Sequence, residues 1–267
     1  MVRVTSTDRR AALRAGAGIV AGSALAAACA PAAPSSGAAR PVPASPTPPP
    51  AATPAPAPAA PAPRAYPDHP AQITHGPRDR PRVALTFHGN GDPATARALL
   101  AEAERHGARV TVLAVGTWLE EHPALARRIL DGGHDLGNHT HHHLDINTLP
   151  EAEAEREITA CADRLRGLTG SIGTWFRPSR AARASPAVEA LARRAGYPHV
   201  LSYDVDSLDF TSPGGPAVAR TVLDGIRGGS VVSLHFGYAD TVAALPAVLA
   251  ELHRRGLRAV TTTELLS

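Results

Sequence analysis

From about residue 82, short apolar and β-branched runs alternate with longer stretches in which Ala and Leu recur every third or fourth position. The short runs read as strands buried on both faces, the longer ones as helices with one buried face. Residues 82–87 form such a strand, followed by the Gly-rich turn His88-Gly-Asn-Gly-Asp92. Pro93 then opens a helix to about His106, because a first-turn residue gives up an N–H that has no helical partner anyway. A strand is predicted at 109–115, a helix at 117–130 stopped by Gly132-Gly133, and a helix at 150–168 closed by Gly170. Strand 173–177, helix 185–195, strand 199–205, helix 216–227, strand 230–236, helix 241–255 and strand 258–262 follow. Strands alternating with helices of this length imply parallel βαβ units, in a barrel or a doubly wound sheet. His88, Arg177, Asp206, Asp209 and His235 all fall at or just past the C-terminal ends of predicted strands. Barrels gather polar groups at that face, so the expectation is an α/β fold, a complete or incomplete (β/α) barrel.

The front of the chain lacks this pattern. Arg3, Arg9, Arg10 and Arg14 precede a Gly/Ala-rich apolar run over 15–29, which reads as an export signal and is too short for a membrane span. Arg9-Arg10 resembles a twin-arginine signal, and Ala26-Ala-Ala-Cys29 a lipoprotein cleavage box with Cys29 as the lipidated residue. A plain secretory signal cut near Ala28 or Ala30 is the alternative. Residues 30–65 are Ala/Pro-rich and hold nothing to pack a core, so they read as a disordered tether. At ~3.1 Å per residue such a tether spans on the order of 100 Å. The folded domain is therefore expected over 66–267, exported and held at a membrane facing a cell wall.

Charge and cysteine use narrow the classes. The net charge of +3 is contributed by the front, where Arg3, Arg9, Arg10, Arg14, Arg40 and Arg64 face Asp8 alone. The remainder is weakly acidic with no basic cluster, which argues against nucleic-acid binding. With Cys29 at the anchor, Cys161 has no disulfide partner and reads as a small packing residue in an Ala-rich helix.

The densest chemistry is His139-Thr-His-His-His143. At i and i+4 on one helical turn, two imidazoles can converge on a single ion. A solvated His-rich loop is the alternative reading.

In order along the chain, several segments resemble polysaccharide deacetylases of the NodB-homology type, carbohydrate esterase family four. His139 to His143 resembles the family's His-[Ser/Thr]-x-x-His motif, and Phe176-Arg-Pro-Ser-Arg-Ala181 partly matches its Arg-Pro-Pro-Tyr-Gly segment. Asp206-Ser-Leu-Asp-Phe210 resembles Asp-x-x-Asp-Trp, and Val231-Val-Ser-Leu-His235 the terminal Leu-x-His strand. The resemblance implies a deformed barrel, a divalent metal, zinc above all, and removal of acetyl groups from an acetylated polysaccharide. His139 and His143 would be metal ligands, Arg177 would orient the base, and Asp209 would hold His235, the general acid. Phe210 would line the acetyl pocket, and the Arg180 backbone would donate to the oxyanion.

The first motif departs from the family's Thr-Phe-Asp-Asp-Gly. His88 stands where the family has its base, and Gly89 where it has a metal ligand. Three accounts follow. His88 is the third ligand and Asp92, returned by the Gly-Asn-Gly turn, is the base; or Asp92 is the ligand and His88 the base; or the domain binds sugar without hydrolysing it. The first leads, giving His88, His139 and His143 as ligands and Asp92, His235, Arg177 and Asp209 as catalytic.

Overall fold

A computed structural model describes residues 60–267. The expected export signal over 1–29, its Cys29 and most of the 30–65 tether lie outside the described residues. In chain order the elements are β1 (Gln72–Ile73), β2 (Arg82–Gly89), α1 (Pro93–Arg105), β3 (Thr111–Ala114), α2 (Gly116–Glu121), α3 (Ala124–Asp131) and β4 (Asp135–Asn138). Then come α4 (Glu151–Thr169), α5 (Pro186–Arg194), β5 (Val200–Leu201), β6 (Val205–Asp206) and α6 (Gly215–Gly225). The chain closes with β7 (Val231–His235), α7 (Ala239–Arg254), β8 (Arg258–Ala259) and α8 (Thr262–Leu265).

The sheet runs β4-β3-β2-β7-β6, all parallel. β2 is central: Val83, Ala84, Leu85, Thr86 and Phe87 are all buried, as expected of a strand covered on both faces. Phe87 stacks on Phe236 with ring centroids 5.1 Å apart. Beyond β4, pairing continues through Phe176 alone, which bridges Asn138 on one side and Val200 of β5 on the other. The α/β class with a parallel sheet is as expected, while the strand predicted at 173–177 is reduced to this single bridge. Pairing round the ring suggested by the strand-end residues thus narrows at Phe176 to one bridge on each side.

Four other differences are local. The helix predicted over 117–130 is two helices, because Pro123 disfavours helical geometry at His122. The strand predicted at 199–205 splits into β5 and β6, and the last strand stops at Ala259, where Thr261 begins α8 with a reciprocal capping box to Glu264. β1, parallel to β5, had no clear apolar run to announce it.

Candidate active site

Register sets the site. β2 and β7 pair so that His88 lies opposite His235, and the residues that follow β4 start with His139, whose N–H donates to the Ala114 carbonyl at the end of β3. Three strands of one parallel sheet, β4, β2 and β7, therefore deliver three imidazoles to the same end of it. The His88 ring centroid is 4.3 Å from that of His139 and 4.3 Å from that of His235.

His139 to His143 is not a helical turn. The segment is a loop in which Thr140 (φ +66°) and His143 (φ +58°) both adopt left-handed backbone. Asn138 Oδ1 accepts the Thr140 N–H at 2.8 Å, and Asn138 itself is fixed by donating to the Ile158 carbonyl and Tyr197 hydroxyl. Buried Glu157, from α4, accepts the N–H groups of His141 (3.1 Å) and His142 (2.8 Å) and pairs with His142 Nδ1 at 2.6 Å. This loop, not helical periodicity, brings His139 and His143 together, with ring centroids 4.9 Å apart.

One ligand atom from each of His88, His139 and His143 lies within 4.8 Å of the others. His139 is fully buried; its Nδ1 lies 3.1 Å from the Arg177 carbonyl, which makes it the donor and leaves Nε2 as a lone pair. That Nε2 has no hydrogen-bond partner, so a buried acceptor is left for a cation. Burial holds His88 well below the usual imidazole range, reinforced by His139, His235, Arg177 and His143. Burial also lowers His139 strongly, with His143 adding to it against the Arg177 carbonyl bond. His143 is lowered by burial, then by Arg180 and His235. Neutral imidazoles are the form that binds metal, so the three residues could hold a metal ion.

His235 sits beside this trio. Its Nδ1 is 2.6 Å from Asp209 Oδ1, and its backbone N–H donates to Asp209 Oδ2 at 2.8 Å. The Thr241 hydroxyl donates to the same oxygen at 2.6 Å. Burial raises the Asp209 carboxyl, but the bonds from His235 and Thr241 outweigh it and leave the group below its ordinary value. A buried carboxylate on Nδ1 fixes the tautomer and leaves Nε2 for proton transfer. Phe210 and Tyr238 flank the ring edge-on at 5.6 Å and 5.7 Å.

These groups line a cavity of about 360 Å³ whose walls include His88, His143, Arg180, Tyr203, Asp206 and His235. Arg177 lies behind the wall, with no exposed surface. Its Nε donates to the Leu201 carbonyl and one Nη to the Ser202 carbonyl, while Nη1 has no partner. Burial lowers it to about 10. Among the described residues no carboxylate forms an ion pair with it, so here it braces the end of β5, from which the chain runs through Tyr203 into β6.

Asp92 is not brought to the cavity, which corrects the expectation that it serves as base. It is exposed and caps α1: Oδ1 accepts the Ala94 N–H at 3.0 Å and Oδ2 the Thr95 hydroxyl at 3.4 Å. The Gly-Asn-Gly turn does not fold back, because it is pinned. Trp118 Nε1 donates to the Gly91 carbonyl at 2.8 Å, and Gly91 (φ +112°) packs so close to Gly237 that a Cβ would lie 2.6 Å from its Cα. At Gly89 a Cβ would stand 2.9 Å from Val112 Cγ1 and 3.0 Å from Ala114 Cα, so that position faces β3 and not the imidazoles.

Glu157, Tyr203, Tyr238 and Thr241 escaped the sequence reading. Only Glu157 left a signal: it falls in the apolar stripe Ala154, Ile158, Cys161, Leu165, where a carboxylate needs a partner. Cys161 is a packing residue as expected, buried and with its thiol pushed up to about 12 by burial.

The polysaccharide deacetylase family profile matches residues 75–200. The chain is 32% identical over 202 residues to a peptidoglycan-N-acetylglucosamine deacetylase of Bacillus cereus, covering 71% of this chain and 90% of that protein. Its fold resembles a family 4 carbohydrate esterase pseudoenzyme of Bacillus anthracis (TM-score 0.70, 24% identity, 74% of this chain and 70% of that one). It also resembles a family 4 carbohydrate esterase of Streptomyces lividans solved with acetate (TM-score 0.62, 26% identity, 67% and 91%).

Proposed function

This chain belongs to the polysaccharide deacetylase family, and we propose that it is a metal-dependent hydrolase removing acetyl groups, N-acetyl before O-acetyl, from a cell-envelope polysaccharide. One observation carries this reading: the unpartnered Nε2 of buried His139, in a trio of imidazoles beside the His235–Asp209 pair. His88, His139 and His143 would hold the ion, with zinc favoured by the all-imidazole set. When bound, the ion polarises an acetyl carbonyl and makes water a stronger nucleophile.

The protein's own residues supply the rest. His235, steadied by Asp209, gives its Nε2 proton to the departing nitrogen or oxygen. Phe210 offers an apolar face to the acetyl methyl, and the Arg180 backbone N–H, in a left-handed turn (φ +54°), donates to the developing oxyanion. The Bacillus cereus relative supports N-acetylglucosamine of peptidoglycan as the first substrate to try.

Acetate release from peptidoglycan and acetylated chitooligosaccharides is the test, with His235→Ala as the control. Release by the wild type and loss in the variant are expected; no acetate from any substrate, with sugar binding intact, overturns the reading. A second reading, a glycan-binding module without turnover, is favoured by the absence of a carboxylate at His88 and Gly89. The same assay separates the two.

The protein is further proposed to be exported and anchored through Cys29, on the support of Arg9-Arg10, the apolar run after it and Ala26-Ala-Ala-Cys29. Cys29→Ala is expected to move it from the membrane fraction to the soluble one; unchanged partitioning refutes the anchor.

A further inference from the structure

We infer that Asp206 is the catalytic base, the carboxylate that takes the proton from the attacking water; this rests on the deacetylase reading above. Among the described residues Asp206 is the one acid on the wall of the cavity that holds His88, His143 and His235. Its direction follows from register. Asp206 in β6 pairs with Ser233 in β7, and parallel neighbours in register present side chains to the same face. Ser233 stands two residues before His235 and its Oγ is 3.5 Å from His88 Nε2, so that face is the imidazole face.

The other candidate carboxylates are engaged. Asp209 accepts three hydrogen bonds from His235 and Thr241. Asp92 is an exposed helix cap. Asp206 uses one oxygen, Oδ1, to accept the Leu208 N–H at 3.1 Å, and no ion pair among the described residues occupies the other. The buried Arg177 guanidinium has a free Nη1, and its proton affinity is lowered by burial and restored in part by Tyr203 and Asp206. The Tyr203 hydroxyl, raised by burial and then by Asp206, lies alongside. The positive charge that the family resemblance assigned to orienting a base at position 88 is thus set next to a carboxylate arriving from a different strand.

The step balances. Water adds its oxygen to the acetyl carbon and yields one proton to Asp206, the other staying on that oxygen. The C–N bond then breaks as His235 delivers its proton to the nitrogen, giving a free amine and acetic acid, which releases the remaining water proton to solvent as acetate. Asp206 returns its proton through solvent and His235 regains one.

The structural alternative is that Asp206 only caps the turn at Leu208, which has left-handed backbone (φ +54°). Asp206→Asn separates the two, because the amide keeps the Oδ1 acceptor and loses the base. The expected result is a fall in kcat of about 10²–10⁴-fold, with KM, zinc stoichiometry and melting temperature held. The remaining rate should climb with pH as hydroxide replaces the base. An Asp206→Asn enzyme that keeps more than about a tenth of wild-type kcat, or whose pH profile parallels the wild type, overturns the inference. So does a variant that loses zinc or fold along with rate. A wild type that releases no acetate overturns the deacetylase reading and this one with it, whereas an active wild type with an active Asp206→Asn removes only the role of Asp206.

Discussion

Replacing Glu157 with Ala should weaken zinc binding although Glu157 is not a ligand. The carboxylate is buried and accepts two backbone N–H groups and the His142 ring, all within the loop between His139 and His143. Hydrogen bonds to a charged acceptor contribute about 1.5–3 kcal/mol each. His142 is exposed, so water takes over both of its bonds in the variant, and the bond lost outright is that from the His141 N–H, about 1.5–3 kcal/mol for ordering the loop. In the variant, zinc binding must supply that ordering. At tenfold per about 1.4 kcal/mol, affinity should fall by roughly 10–100-fold, the size expected when a group that orients a ligand is lost. Glu157→Gln, which keeps one acceptor oxygen, should fall between. Competition against a chromophoric chelator, with melting temperature read in parallel, measures both effects. A Glu157→Ala protein that binds zinc within about threefold of wild type refutes the account of how this loop is held.

Asp92→Ala should cost about 1 kcal/mol in chemical denaturation, the usual value for a lost N-cap, and leave one zinc per chain, whereas His88→Ala should lose tight zinc binding; the reverse pattern overturns the assigned ligand set. Gly89→Asp should lower the melting temperature, with overpacking of roughly 1–3 kcal/mol, and gain no metal affinity, because its Cβ meets Val112 and Ala114; an unchanged melting temperature with tighter zinc binding contradicts this. His134 is expected to make stability depend on pH. It accepts the Val110 N–H at Nδ1 and meets Glu104 at Nε2, and its pKa is lowered by burial against Glu104, with Arg128 and Arg109 also lowering it. The unfolded chain therefore takes up this proton first as pH falls below about 6.5. His134 stability is present above that pH and lost below it, and denaturation midpoints of His134→Asn should fall less than those of wild type over the same window. Equal slopes would show that His134 does not titrate in this way.

Much of this was legible along the chain. The apolar runs at 82–87 and 230–236 became β2 and β7 because strands covered on both faces admit few polar residues. Residues at the ends of such runs, His88 and His235, could be assigned to one face without knowing the sheet order. The Asp209–His235 pair is implied by the resemblance alone, as spacing carries no signal for two groups on different segments. The separation of His139 and His143 predicts convergence on a helical turn, whereas a loop with left-handed backbone at Thr140 and His143 provides it. Pro123 is the residue in the sequence that divides the helix after Gly116.

The sequence by itself determined the alternation of strands and helices, the polar ends of the strands and the loss of both carboxylates at His88 and Gly89. Those are properties of neighbours in the chain: periodicity, turn residues and residue type. Only tertiary structure decided that Asp92 caps α1, that Arg177 is buried without an ion pair among the described residues, and that Asp206 faces the imidazoles. Each depends on register between strands distant in sequence and on which loop packs against which, as when Gly91 rests on Gly237 and turns the chain away from the site. Side-chain direction in a parallel sheet has a period of two, so a shift of one residue in β6 would have turned Asp206 out of the cavity.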